Sequence, residues 1–308
     1  MIRNFLFHRV SEEQDQLWPP MRPELFDRII KHLVKKYEVV SLEHYLADPK
    51  VFSSGKRVAT VLFDDGYKDN VEIAAPILQR YTCPASFYVV TDSINRNLPT
   101  WTYIIDNVFQ QTRKARLELD ADFVPEKFKK TAFTLNGVNN PAIREIKPWM
   151  KGLPNLQRLQ IMDLVLKQCD DVAVSRSKMM NWDDIRQLHN AGFIIGSHSH
   201  THPMLASLSS EGEIKEELEN SAGIIQKETG KFPLSISYPI GSFDDRVISL
   251  SKAAGYKYGL AVKQQFYDPA KDDLFSIPRV ELYQETWWKQ RLRITGVYSM
   301  IKNYSGRK

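Results

Sequence analysis

Two hydrophobic rhythms alternate along the chain. Short apolar runs such as Val58-Ala59-Thr60-Val61-Leu62-Phe63 and Ala85-Ser86-Phe87-Tyr88-Val89-Val90 read as buried strands. Between them, Leu25, Ile29, Ile30, Leu33 and Val34 recur at helical spacing over Glu24 to Lys36. The pattern predicts a strand at 2–8, a helix at 24–36, a short strand at 37–40 and a helix at 42–46 with Ser41 as its N-cap. A strand at 58–63 follows, then a helix at 70–81 that Pro76 should bend or interrupt, then a strand at 85–90. Strand, helix and strand at this spacing form a βαβ unit, which implies parallel pairing. Beyond residue 178 the rhythm returns, with helices from Trp182 toward Gly192, from Ser210 or Glu211 to Thr229, and over 245–254. The strands between and after them fall at 193–196, 234–237, 258–262 and 275–282. Polar clusters sit at the C-terminal ends of strands, where α/β barrels collect their active sites.

Residues 92–178 break this rhythm. They are rich in Lys, Arg, Asn and Gln, carry prolines at 99, 125, 141, 148 and 154, and show helical patches at 101–112 and 156–168. They read as a largely helical insertion on the rim of one domain spanning 1–308, without a core of their own. With 308 residues, 43% hydrophobic and 26% charged, the chain is ordinary globular material. A net charge of +5 fits anionic, membrane-linked or neutral sugar substrates and does not call for nucleic acid. Cys83 and Cys169 make no metal spacing and read as two free thiols. The N-terminus has no signal-peptide pattern and no run is long enough for a membrane span, so a cytoplasmic location is the expectation. The tail from Thr286, with Trp287, Trp288, Lys289, Arg291, Arg293, Lys302, Arg307 and Lys308, reads as a solvated helix or as a basic segment resting on anionic lipid.

The chemistry concentrates in two places. Asp64-Asp65-Gly66 ends the strand at 58–63, where adjacent carboxylates project differently and a glycine allows a tight turn. Ser197-His198-Ser199-His200-Thr201-His202 follows the strand at 193–196. His198 and His202, at i and i+4, share a face if the segment turns helical, and His200 then points away. Two histidines and one carboxylate would complete a three-ligand metal site with positions open for water and substrate. Tyr238-Pro239-Ile240-Gly241 forms a turn able to aim a backbone N–H into a site, and His8 ends the first strand at the same rim. Arg279 interrupts an apolar run, so it is either exposed at an edge or paired with a buried carboxylate.

Taken together these residues resemble the polysaccharide deacetylase family, carbohydrate esterase family 4, with its NodB-homology domain. Phe63-Asp64-Asp65-Gly66-Tyr67 resembles the family's first motif, and His198-Ser199-His200-Thr201-His202-Pro203 its H-[ST]-x-x-H motif. Tyr238-Pro239-Ile240-Gly241 falls at the third motif. The resemblance implies an α/β fold, a distorted, incomplete (β/α) barrel. It implies a divalent metal, usually zinc with Co2+, Ni2+ or Fe2+ as alternatives, held by Asp65, His198 and His202, with Asp64 as general base. The reaction implied is hydrolysis of an N-acetyl, less often O-acetyl, group on a glycan or glycan precursor. The N–H of Ile240 would receive the oxyanion. Two departures stand out: Ser237 replaces the arginine that usually opens the third motif, and no histidine follows His202 to supply the usual late acid. His8 is the substitute expected for the acid and Arg279 for the arginine, through a pair with Asp64. Tyr67, Tyr238 and Trp101 are expected to meet the sugar, with Trp101 or Tyr103 as a stacking platform on the insertion. The rivals are a related C–N amide hydrolase, deformylase-like or acting on ureides, and a catalytically weak glycan-binding protein. Contact with a membrane or a lipid-linked glycan through the basic tail is a further expectation.

Overall fold

The computed structural model describes residues 1–49, 55–132, 141–174 and 178–297. Its first half runs Arg3–Phe7 (β1), Pro23–Lys36 (α1), Glu38–Val39 (β2), Leu42–Ala47 (α2) and Val58–Phe63 (β3). A π-helical turn, Asn70–Ala74, leads into Ala75–Arg80 (α3), and Ser86–Val89 (β4) closes the βαβ unit. Pro76 explains the widened turn: it has no N–H to offer the carbonyl of Glu72, so the regular ladder cannot pass through it.

The segment that follows holds Thr91–Arg96 (α4), Trp101–Gln111 (α5), Arg116–Glu118 (β5), Glu126–Lys129 (α6), Lys130–Ala132 (β6), Pro141–Lys151 (α7) and Asn155–Gln168 (α8). The antiparallel pair β5–β6 and the helices α4 and α7 were not among the expected elements, although Ile143, Ile146 and Met150 recur at helical spacing in α7. The segment also has an apolar core of its own, in which Ile105, Phe109, Leu117, Phe128, Ile146 and Ile161 are buried together. That corrects the expectation of a coreless insertion. Met204 and Ile240, from the rim of the main domain, pack into the same cluster.

The main domain resumes with Trp182–Asn190 (α9), Ile194–Ser197 (β7), Glu211–Thr229 (α10), Ser235–Ser237 (β8), Asp245–Ala253 (α11), Tyr258–Leu260 (β9), Val280–Glu281 (β10) and Trp287–Thr295 (α12). Capping boxes start α9, through Asn181 and Asp184, and α10, through Ser210 and Glu213. Ser41 does not cap α2; its hydroxyl is buried without a partner. That helix instead inserts Glu43 among strand hydroxyls, taking hydrogen bonds from Ser86 Oγ (2.9 Å), Tyr88 (3.0 Å) and Ser235.

Strand order is β10-β1-β3-β4-β7-β8-β9, every pair parallel, with β2 added beside the start of β3. All six residues of β3 are buried, as expected of a parallel strand covered on both faces. The expected strand at 275–282 is broken at Pro278. Its first part pairs with β9, where Ala261 N–H donates to Ile277 (2.8 Å), and its second part pairs with β1, with Phe5 opposite Val280. The sheet therefore returns on itself as an incomplete (β/α) barrel, and Arg279 sits at the seam.

Trp287 of α12 lies under the Arg28 guanidinium and edge-on to His32, both on α1. Arg293 is buried in an ion pair with Glu285. Part of the basic tail is thus packed, although Trp288 is 71% exposed; Lys302, Arg307 and Lys308 lie outside the described residues. Cys83 and Cys169 are free and buried in different clusters. Among the described residues no helix is long and apolar enough to cross a membrane.

Candidate active site

β3 delivers Asp64 and Asp65 to the barrel rim, where the Asp64 N–H donates to the Phe7 carbonyl (3.1 Å). Asp65 and Gly66 then take left-handed backbone angles, φ 77° and 87°, and the chain turns away. A side chain at residue 66 would also meet Ile94 and Val89, so glycine serves here for both angle and space.

β7 delivers His198 in the same way, its N–H bonded to the Val89 carbonyl (3.0 Å). The expected helical turn over 198–202 does not form. Ser199 (φ 64°) and His202 (φ 61°) fold the loop back instead, so both rings face one point by backbone reversal. Glu217 of α10 holds that loop by accepting from the N–H groups of His200 (2.9 Å) and Thr201 (2.8 Å) and from the Thr201 hydroxyl. His200 turns out of the site, with Nδ1 2.8 Å from Thr91 Oγ1. Four of the six non-glycine residues at positive φ among those described, Asp65, Ser199, His202 and Ile240, are at this site. Such backbone strain persists only where the surrounding structure enforces it.

Asp65 Oδ1 lies 3.3 Å from His198 Nε2 and 3.4 Å from His202 Nε2, and all three groups are buried. One ligand atom from each falls within 4.8 Å of the others. The Nδ1 of His198 is 2.7 Å from the Ser237 carbonyl, which assigns that nitrogen as the donor and leaves Nε2 its lone pair for a ligand. One carboxylate and two imidazoles that converge with bare acceptor atoms fit a divalent ion such as zinc. Burial raises the Asp65 carboxyl, but the imidazoles of His198 and His202, when protonated at Nε2, outweigh this and hold it well below the ordinary carboxylate range.

Beside this cluster Asp64 is gripped by Arg279. Nη1 meets Oδ1 at 2.8 Å and Nη2 meets Oδ2 at 2.9 Å, both side chains being almost wholly inaccessible. Of the two placements open for Arg279, the structure selects the buried pair. Ser237 donates to Asp64 Oδ2 (2.9 Å) and accepts from Arg279 Nη2 (2.8 Å), so the serine at the departed motif position links the two. Burial pushes the Asp64 carboxyl up; the charge and hydrogen bonds of Arg279 overcome this and leave it below its ordinary value.

These groups floor a cavity of about 360 Å3. His8 and Ile240 line it, and Ile240 adopts φ 59° within the turn after β8. His8 Nδ1 lies 3.4 Å from Glu281 Oε1, and Glu281 accepts from the Tyr283 hydroxyl (2.6 Å). The insertion does reach the cavity, through Thr102, Lys147 and Lys151. The aromatic residues expected to meet the sugar are placed elsewhere. Trp101 is buried in the insertion's core with the Arg158 guanidinium 5.1 Å from its ring centre. Tyr67 is buried against Tyr103, and Tyr103 is itself buried, so neither offers a face. Tyr238 is buried and stacked on Phe243. Tyr283 lines the cavity, and so does Trp18, edge-on to His8. Its proline-rich surroundings gave no periodic signal. Glu281 carried a weak one, two residues on from Arg279 in the same strand.

The chain matches the family model described as Polysaccharide deacetylase over residues 53–259, and it belongs to that family. Solved structures agree on the fold. A deacetylase from Streptococcus pyogenes, PplD, in complex with acetate, is 16% identical with a TM-score of 0.63, covering 95% of this chain and 97% of that one. A polysaccharide deacetylase from Bacillus cereus is 19% identical with a TM-score of 0.60, covering 95% of this chain and 68% of that one. A de-N-acetylase from Aggregatibacter actinomycetemcomitans is 17% identical with a TM-score of 0.60, covering 95% and 99%. No curated protein matches the chain.

Proposed function

We propose that this chain is a metal-dependent hydrolase that removes N-acetyl groups from a glycan or glycan precursor. It would do so as one catalytic domain with residues 92–178 as an insertion. The observation that carries this is the convergence of Asp65, His198 and His202 next to an Arg279-held Asp64 on the floor of one cavity. Asp65, His198 and His202 would hold the ion, with zinc as the first expectation. The chemistry a divalent ion supplies in such a setting is Lewis acidity, which polarises an acyl carbonyl and acidifies water.

The remaining roles belong to the chain's own side chains. Asp64, kept ionised by Arg279, takes the proton of the attacking water. Its Oδ1 accepts one hydrogen bond, so a lone pair stays open. The Ile240 N–H, on a turn fixed by Pro239 and Gly241, receives the carbonyl oxygen as negative charge builds on it. His8, oriented by Glu281 through Nδ1, protonates the departing sugar amine. Trp18 takes the stacking role in place of Trp101.

Acetate release from N-acetylhexosamine oligomers, lipid-linked sugars and nucleotide sugars, measured with zinc or cobalt added, tests the reading. Turnover of at least one acetamido sugar supports it. Turnover of formamides or ureides alone would shift the assignment to a related amide hydrolase, and binding without turnover to a glycan-binding protein.

A further inference from the structure

The wall that the insertion adds to the cavity is cationic. Lys147 and Lys151 stand one helical turn apart on α7, and both reach the cavity. Lys147 is bonded to Asp106 of α5, a carboxylate that is itself buried. Lys151 has no ion pair or hydrogen bond among the described residues, although it faces the same space as three carboxylates.

Those carboxylates are engaged elsewhere. Asp64 is held by Arg279, Asp65 faces the two histidines, and Glu281 is bonded to Tyr283 and lies against His8. Setting aside the pairs Asp64–Arg279 and Lys147–Asp106, Asp65 and Glu281 stand against Lys151 and a divalent ion. The balance is −2 against +3, a surplus of one positive charge at the mouth of a site that must admit a saccharide. A neutral acetamido sugar would leave the ammonium of Lys151, an exposed side chain at the cavity, to water alone. A substrate bearing an anion would complete it with a charge-assisted hydrogen bond.

We propose that Lys151 is a specificity residue, one that receives a carboxylate or phosphate carried next to the acetylated sugar. The preferred substrate is then an acidic or phosphate-linked saccharide and not a neutral chain. This rests on the deacetylase reading and narrows it.

The test compares zinc-loaded full-length protein on three substrates: the neutral N-acetylglucosamine tetramer, a saccharide containing N-acetylmuramic acid for carboxylate, and UDP-N-acetylglucosamine for phosphate. Wild type should show a kcat/KM at least about tenfold higher on one anionic substrate than on the tetramer, and added salt should narrow the gap. In Lys151→Gln the ratio of anionic to neutral kcat/KM should fall about tenfold, mainly through KM, and Lys151→Glu should invert it. Which anionic substrate responds tells carboxylate from phosphate. Equal rates on all three substrates, or an equal loss on all three in Lys151→Gln, would overturn the proposal and leave the deacetylase reading standing. If no acetate appears from any substrate, that reading fails, and Lys151 is decided by binding alone. Calorimetry with N-acetylglucosamine 1-phosphate against N-acetylglucosamine should then show a preference that Lys151→Gln removes; no preference in wild type refutes it.

Discussion

Replacing Arg279 by Met should be the most costly single change at this site that leaves every proposed metal ligand in place. Arg279 is fully buried and makes both halves of a fork with Asp64, so its loss strands a buried carboxylate with the Ser237 hydroxyl as its remaining donor among the described residues. Breaking a buried pair from one side costs ~3–5 kcal/mol. For a chain of 308 residues that is a fall of roughly 5–8 °C in Tm. The double variant Arg279→Met with Asp64→Asn should recover part of the loss, because neither charge is then left buried alone. Activity should fall by about 10²-fold or more, since Asp64 loses both orientation and ionisation. The sign follows from the opposing influences: burial raises the Asp64 carboxyl, and Arg279 is the largest of the groups that bring it down. Without Arg279 the carboxyl rises, the base stays protonated to higher pH, and the acid limb of the pH–rate profile moves upward. Thermal unfolding and acetate release across pH measure both effects. Wild-type stability together with an unmoved acid limb in Arg279→Met would refute the argument.

Elemental analysis should find one divalent ion per chain, lost in Asp65→Ala and His198→Ala and kept in His200→Ala, because His200 faces Thr91; the reverse order between His200→Ala and His202→Ala overturns the ligand set. Asp64→Asn should keep the ion and lose about 10²–10⁴-fold in rate; a near wild-type rate removes Asp64 as base. Glu281→Gln should lower kcat more than it raises KM, through the orientation of His8, whereas His8→Ala with full kcat would remove both from the acid role. Burial pushes the Cys83 thiol up to about 12, so it stays protonated at pH 8, and iodoacetamide should label it only after unfolding; rapid labelling of the native protein would contradict its placement.

The parts of this fold that were legible are those where one physical demand dominates. β3 occupies the residues of a run that is apolar but for Thr60, because a parallel strand is buried on both faces. Arg279 was readable in part: a guanidinium inside an apolar run left two placements open, an exposed edge or a buried pair, and it was the family resemblance that pointed to Asp64. The acids and histidines were readable because strand ends of a parallel barrel converge. The His198–His202 loop was not, since its shape depends on positive φ at Ser199 and His202, and neither residue type announces that angle. Trp101 misled for a related reason. An aromatic at helical spacing fits a buried core and a sugar platform equally well, and only the neighbours Ile105, Ile146 and Ile161 decide for the core.

The seam of the barrel shows how stability and chemistry share one set of atoms. β10 pairs with β1 over two residues, and Pro278 has no N–H to extend the ladder toward β9. A gap there would leave strand carbonyls unsatisfied in a buried setting, which is costly. Arg279 fills it. Its Nε donates to the Ala261 carbonyl of the β9 side (3.2 Å), Nη1 to Asp64, and Nη2 to both Asp64 and Ser237. Four of its five donors thus tie the end of β9, the end of β8 and the end of β3 to the residue that follows the proline. The side chain that seals the sheet is also the one that holds Asp64 ionised and aimed at the cavity. A substitution that only weakened the seam would loosen Asp64, and one that only neutralised Asp64 would leave a buried cation at the seam. The conservative Arg279→Lys variant separates the two. Lysine keeps a positive charge but cannot reach three partners at once, so the charge effect on the acid limb should survive in part while thermal stability falls toward that of Arg279→Met.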